Sequence, residues 1–278
     1  MKQGLAKSGD INLFYRTVGK GEAVLFIHEY AGDHRSWDDQ IRHFSRYFQC
    51  ITFNARGYPP SDVPESASAY SMQQAAKDAV AVLQALHIQK AHIVGLSMGS
   101  FATLQMALDY PDFCHSITVV GTGTGAEPEK HTEYKAIFKR SAQQILDLGM
   151  PEYVAQYALG PTRRTLLEKD PLGWDVFKKH MSEHSAIGCR NTLVGVQAGR
   201  PSLWDLQEKL AEIDIPALLI TGDKDLPTLK AHLMLNRVLK RSGLAIVPRS
   251  GHAVNIEEPF LFNQLLQNFL LSVQNQKV

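Results

Sequence analysis

No stretch of this sequence comes near the roughly 20 consecutive apolar residues that a membrane-spanning helix needs. The opening Met1-Lys2-Gln3-Gly4 runs into a mixed polar segment without the apolar core of a secretory signal. Cysteine is scarce. Cys50, Cys114 and Cys189 are odd in number and far apart, which argues against a disulfide framework and for reduced, buried thiols in a cytoplasm. An excess of one charge is missing too: 29 Lys plus Arg stand against 28 Asp plus Glu, a net charge of +1. No long basic or acidic run breaks that balance, so neither nucleic acid nor an anionic membrane is indicated as a partner. Internal repeats and low-complexity tracts are also lacking. What remains is a globular composition, 44% hydrophobic over 278 residues, near the size of about 250–300 residues at which a single core stops growing. One domain with an insertion, acting on a small and weakly charged molecule, fits these bounds.

Against that background Gly95-Leu96-Ser97-Met98-Gly99 stands out. It follows an apolar run, Ala91 to Gly95, and precedes a helical run, Ser100 to Tyr110. A serine between two glycines in that setting suits a sharp strand-to-helix turn, where side chains on either side would collide. Ser97 is the candidate nucleophile. A serine hydroxyl is a weak nucleophile until a base takes its proton, so the motif calls for a histidine and an orienting acid further on. Ala217 to Thr221 reads as a buried strand that ends in Gly222-Asp223-Lys224-Asp225, and Leu244 to Pro248 reads as the next strand, delivering Ser250-Gly251-His252. Asp225 and Asp223 both fall at a strand end within reach of such a histidine.

Ahead of these elements, Ile11 to Val18 and Ala23 to His28 read as strands joined by Gly19-Lys20-Gly21, an antiparallel start to a sheet. Gln49 to Asn54 is a further strand. Ser71 to Leu86 reads as a helix capped by Ser71, with Ala75, Ala79, Val82, Leu83 and Leu86 on one face. Strand 91–96, helix 98–110 and strand 116–120 continue a βαβ alternation, which argues for a parallel sheet with helices on both faces. After Gly121-Thr122-Gly123-Thr124-Gly125 the alternation stops. Residues 126–208 read as helical pieces broken at Gly149-Met150-Pro151, Gly160-Pro161 and Asp170-Pro171. They carry Tyr134, Phe138, Tyr153, Tyr157, Trp174, Phe177 and Trp204, which suggest an apolar pocket. In the same segment 11 Lys plus Arg balance 11 Asp plus Glu, which does not announce an ionic substrate.

The order Ser97, Asp225, His252, each at the end of a strand, is the order of an α/β-hydrolase. With Phe26-Ile27-His28 followed by Trp37, Asn54-Ala55-Arg56-Gly57-Tyr58, and Glu257-Glu258-Pro259 behind Gly251-His252, nearly the whole chain resembles the α/β-hydrolase superfamily, in particular its small capped esterases, lactonases and carbon-carbon hydrolases. The resemblance implies an α/β-hydrolase core, residues 1–125 and 209–278, with a mostly parallel sheet and helices on both faces. It further implies a helical cap, 126–208, inserted after the sixth strand. Carried over by position, it makes Asp225 the acid and the backbone N–H groups of Tyr30 and Met98 the oxyanion hole. Losing one such donor typically costs about 10²–10³ in rate. One position departs from the family: Glu29 stands where a glycine usually follows the histidine. Glu29 must turn away from the site or hold a cationic or hydroxyl-bearing group there. With Trp174 and Phe177 it forms the candidate substrate-binding set.

Two other motifs compete. His180-Met181-Ser182-Glu183-His184 fits the H-x-x-E-H zinc pattern but lies in the segment expected to be a cap, where a charged helical face produces the same string. Gly121 to Ala126 fits G-x-G-x-x-A, yet Glu127-Pro128 follows where a phosphate-binding helix would open. Neither a metal nor a cofactor is expected, and Arg56 is expected to serve its own loop. The expected activity is hydrolysis of a small carboxylic ester or lactone through an acyl-enzyme. A carbon-carbon hydrolase of the same fold, or a slow-turnover receptor that binds a partner through its cap, is the alternative.

Overall fold

In the computed structural model, which describes residues 1–275, the apolar runs form one eight-stranded sheet. Its strands are β1 (Lys2–Ser8), β2 (Ile11–Val18), β3 (Ala23–Ile27), β4 (Gln49–Phe53), β5 (Ala91–Leu96), β6 (Cys114–Val120), β7 (Ala217–Gly222) and β8 (Ser242–Val247). Their order across the sheet is β1-β2-β4-β3-β5-β6-β7-β8. β1 pairs antiparallel with β2 and β2 antiparallel with β4, whereas the remaining pairings are parallel. β3, β5 and β7 are buried along their whole length, as expected of parallel strands covered on both faces.

The helices are α1 (Asp38–Phe44), α2 (Met72–Ala85), α3 (Met98–Asp109), α4 (Pro128–Tyr157), α5 (Pro161–Lys169), α6 (Pro171–Ser182), α7 (Ala186–Asn191), α8 (Gln207–Leu210), α9 (Leu226–Val238), α10 (Val254–Glu257) and α11 (Pro259–Gln274). Successive strand residues point to opposite faces, and the two cores follow that alternation. Val24 and Phe26 pack with Trp37, Phe44, Phe262 and Leu266 on the α1 and α11 side. Leu25 and Ile27 pack with Leu83 and Leu104 on the α2 and α3 side. Ser71 caps α2 by accepting from the Gln74 N–H at 3.1 Å, as its sequence position predicts.

The first strand is not legible in the sequence as read above. β1 is an edge strand in which only Ala6 and Ser8 are buried, so the polar segment shows no alternation to read. Between β6 and β7 the helices run from Pro128 to Leu210 and include a π-helical stretch at Thr192–Gln197, directly after α7. The breaks fall at the predicted punctuation. α4 bends at Gly149, with φ 75° and ψ 166°, just before Pro151, and Pro161 and Pro171 open α5 and α6. Among the described residues no helix is long and apolar enough to cross a membrane.

β3 has β4 on one side and β5 on the other. The chain reverses direction across the sheet there, which leaves a crevice outside the carboxyl ends of β3 and β5. The loop after β3 and Ser97 after β5 meet at that point.

Candidate active site

Ser97 takes φ 53° and ψ −111° between β5 and α3, a backbone state that non-glycine residues rarely occupy. It is held by its N–H donating to the Val120 carbonyl at 2.8 Å and by its own carbonyl accepting from Ser100 N–H at 3.0 Å. The flanking glycines are required by contact. A Cβ on Gly95 would lie 2.1 Å from the Gly99 carbonyl oxygen, and one on Gly99 would lie 2.2 Å from that of Ile27. The sequence motif is therefore a steric statement about the turn.

His252 Nδ1–H donates to Asp225 Oδ2 at 2.7 Å, with both side chains buried. Burial by itself would lower the His252 pKa. The Asp225 carboxylate outweighs it and raises the imidazole above its ordinary value. Burial likewise opposes ionisation of Asp225, but His252 and Thr228 hold that carboxyl below its ordinary value. Asp223 is spent elsewhere, accepting the Ser250 N–H at 3.2 Å. The histidine loop rests on Glu257, whose carboxylate accepts from Ser250 Oγ at 2.9 Å, from Gly251 N–H, and from Ala253 N–H at 3.2 Å. Glu257 of the Glu-Glu-Pro string thus braces the segment that carries His252.

On the opposite side, the loop after β3 is fixed by the loop after β4. His28 Nδ1–H donates to the Glu29 carbonyl at 2.7 Å, and His28 Nε2 accepts the Ala55 N–H at 3.0 Å. Burial lowers the His28 pKa to about 4, so the ring bridges the loops as a neutral imidazole. Tyr58 Oη donates to the Tyr30 carbonyl at 2.8 Å. These bonds orient the peptide that carries the Tyr30 N–H, and Met98, as the first residue of α3, has an N–H with no partner inside its helix. Arg56 serves structure, through a bidentate pair with Asp78 at 2.7 Å for each bond.

Ser97 and His252 share a cavity of about 240 Å³ with Glu29, Tyr30 and residues of the helical segment. Tyr134, Phe138, Tyr153 and Tyr157 line it. Trp174 and Phe177 do not, which corrects the expectation for both. Trp174 is turned to the Ala158 carbonyl, 2.9 Å from its Nε1, and lies under the Lys178 ammonium at 3.6 Å. Phe177 stacks on the Arg163 guanidinium at 4.5 Å and faces a separate pocket on the other side of Glu29. The side chain of Met98 faces a small separate void, which leaves only its backbone relevant here.

Glu29 neither turns away nor stands free. It lines the cavity with a conformation outside the positive-φ region, and its carboxylate accepts from Arg163 Nη2 of α5, a pair buried on both sides. Burial opposes the Arg163 charge, and Glu29 outweighs burial and raises its pKa. An ion pair and a histidine–carboxylate contact join the same loop to the two residues just after α6. Asp33 Oδ2 lies 3.3 Å from His184 Nε2, and Arg35 Nη1 lies 2.6 Å from Glu183 Oε2. Burial would raise Asp33, but His184 and Arg35 hold it well below the usual carboxylate range. The H-x-x-E-H string is thus tied into this junction through its Glu183 and His184.

A family model described as alpha/beta hydrolase fold matches residues 22–259. The chain belongs to that family. It is 28% identical to a putative 2-succinyl-6-hydroxy-2,4-cyclohexadiene-1-carboxylate synthase of Bacillus subtilis, covering 91% of each chain. It is 26% identical to 3-oxoadipate enol-lactonase 1 of Acinetobacter baylyi, covering 91% of this chain and 90% of that protein. A thermophilic esterase from Thermogutta terrifontis superposes with a TM-score of 0.86 at 21% identity, covering 98% of this chain and 99% of the other. At that identity the superposition speaks for the fold alone. Sequence reasoning missed Arg200 at the cavity and Arg163 behind Glu29, because the groups they touch lie 76 and 134 residues away and no local spacing marks them.

Proposed function

We propose that this chain is a serine hydrolase that cleaves a small carboxylic ester or lactone through an acyl-enzyme, with residues 126–208 acting as a cap over the site. The observation that carries the reading is the 2.7 Å bond from His252 Nδ1–H to Asp225, in a cavity that also exposes Ser97 from its strained turn. With Nδ1 committed as a donor, Nε2 is left as the base. His252 takes the Ser97 proton as Ser97 Oγ attacks the carbonyl carbon, and Asp225 stabilises the imidazolium that results. The Tyr30 and Met98 N–H groups receive the oxyanion. His252 then protonates the departing alkoxide and activates the water that releases the acid. The lactonase and synthase relatives support a small polyfunctional substrate over a long-chain ester.

A fluorophosphonate probe should label Ser97, and Ser97→Ala should abolish ester and lactone hydrolysis without changing the melting temperature by more than a few degrees. Labelling at another residue, or retained turnover in the variant, overturns the reading. A panel of esters, lactones and vinylogous diketones separates ester from carbon-carbon cleavage by the products formed.

A further inference from the structure

Arg200 is buried, with 4% of its surface exposed, and it lines the same cavity as Ser97 and His252. Its Nη1 donates to Gln197 Oε1 and its Nη2 to the Thr124 carbonyl. The guanidinium stacks 3.8 Å from the centre of the Phe101 ring and 5.6 Å from that of Phe138. All of these partners are neutral. Among the described residues no carboxylate forms an ion pair with it. Burial alone depresses the group to about 9, which still leaves it protonated near neutral pH. Charges are seldom buried without a partner, because π faces and neutral acceptors offset only part of the lost hydration.

The rest of the cavity does not supply the missing charge. Glu29 is committed to Arg163, and Asp225 to His252. Thr124, whose carbonyl Arg200 meets, lines the cavity too. A guanidinium that meets only neutral partners and stands at the wall of a void is a donor that a carboxylate accepts.

We infer that Arg200 forms an anion subsite, and that the natural substrate carries a carboxylate away from the bond attacked by Ser97. The inference rests on the serine-hydrolase reading for the scissile bond but not for the subsite itself. A single uncompensated cation matches a monoanion, which favours a carboxylate over a phosphate dianion. The two pairs Glu29–Arg163 and Arg200–substrate carboxylate would then leave the loaded cavity without a buried unpaired charge.

The test compares mono-p-nitrophenyl succinate, glutarate and adipate with p-nitrophenyl butyrate, pentanoate and hexanoate, in the wild type, Arg200→Gln and Arg200→Lys. For at least one acid half-ester the wild type should show a kcat/KM tenfold or more above its neutral partner. In Arg200→Gln that ratio should fall about 30-fold or more, and Arg200→Lys should recover part of it. A wild type that prefers the neutral esters, or a ratio within twofold of wild type in Arg200→Gln, overturns the subsite even if both rates drop from a disturbed Thr124 loop. A binding arm separates the two readings. Glutarate or adipate should raise the melting temperature of Ser97→Ala and fail to raise that of Ser97→Ala combined with Arg200→Gln. Arg200-dependent binding without turnover of any ester would leave the subsite standing and sink the esterase reading. Turnover of neutral esters with no dicarboxylate binding would do the reverse, and a shift produced by inorganic phosphate alone would reject the carboxylate assignment.

Discussion

Beneath the cavity, side chains are positioned by backbone; above it, they are positioned by charge. Ser97, Asp225 and His252 sit just beyond the ends of β5, β7 and β8, where glycine contacts, a backbone hydrogen bond to Val120 and the Glu257 brace leave them little freedom. The helical segment above is held to the loop after β3 by the ion pairs Glu29–Arg163 and Arg35–Glu183 and by the Asp33–His184 contact. A floor built this way tolerates few substitutions anywhere along its motifs, because the positions are steric. A roof held by polar contacts can exchange partners one at a time, without moving a backbone position below. Arg200 belongs to the roof and, among the described residues, is the arginine that lines the cavity.

The sharpest test of the floor is Asp225→Asn. It should lower kcat about 10⁴-fold for every substrate alike, through loss of the correct histidine tautomer, while Asp223→Asn should cost less than about tenfold. If Asp223→Asn costs more, the acid is misassigned. The pH profile checks the same pair. His252 acts as base only when neutral, so kcat/KM should rise with pH, and the raised His252 pKa places that rise above the ordinary histidine range. In Asp225→Asn the residual activity should have its rise at lower pH, since the raising carboxylate is gone. A rise that stays in place would show that Asp225 does not set it.

For the roof, the largest effect is expected at the buried pair. Glu29→Gln or Arg163→Met alone strands a buried charge and should destabilise the fold by about 3–5 kcal/mol, read in denaturant unfolding. The double variant should recover most of that loss. Additive losses in the double variant would mean that the pair is not coupled. The smallest effect concerns the aromatics. Phe138→Ala should change the relative kcat/KM of short and long acyl esters by about 10–200-fold at most, the range for a hydrophobic pocket. Trp174→Ala, whose indole faces Ala158 and Lys178, should leave that ratio within twofold. A large shift from Trp174→Ala would put its side chain back in the substrate path.

The parts of this molecule that the sequence exposes are those governed by short-range sterics. The glycines around Ser97 could be read as an elbow because they act on neighbours two residues away. The proline and glycine breaks at 149–151, 160–161 and 170–171 mark the helix ends because proline constrains φ and removes a donor. β1 was hidden because an edge strand with two buried residues carries little hydrophobic signal. Trp174 and Phe177 misled because aromatic character records burial without recording which neighbour supplies it.

Charge is where composition says least. The balance of 11 basic and 11 acidic residues in 126–208 suggested no ionic substrate, but a sum over a segment cannot say which charges meet. Glu29, alone in sequence, looked like an anomaly in an oxyanion loop. Across 134 residues it found Arg163, and the anomaly became half of a buried ion pair. The sequence by itself determined the strand-turn-helix that carries Ser97, the order of the three candidate catalytic residues and the family, because local geometry is written in adjacent residues. Only the tertiary structure decided which aromatics face the cavity and which guanidinium is left without an anion, because pairing depends on distances between elements that no spacing along the chain encodes.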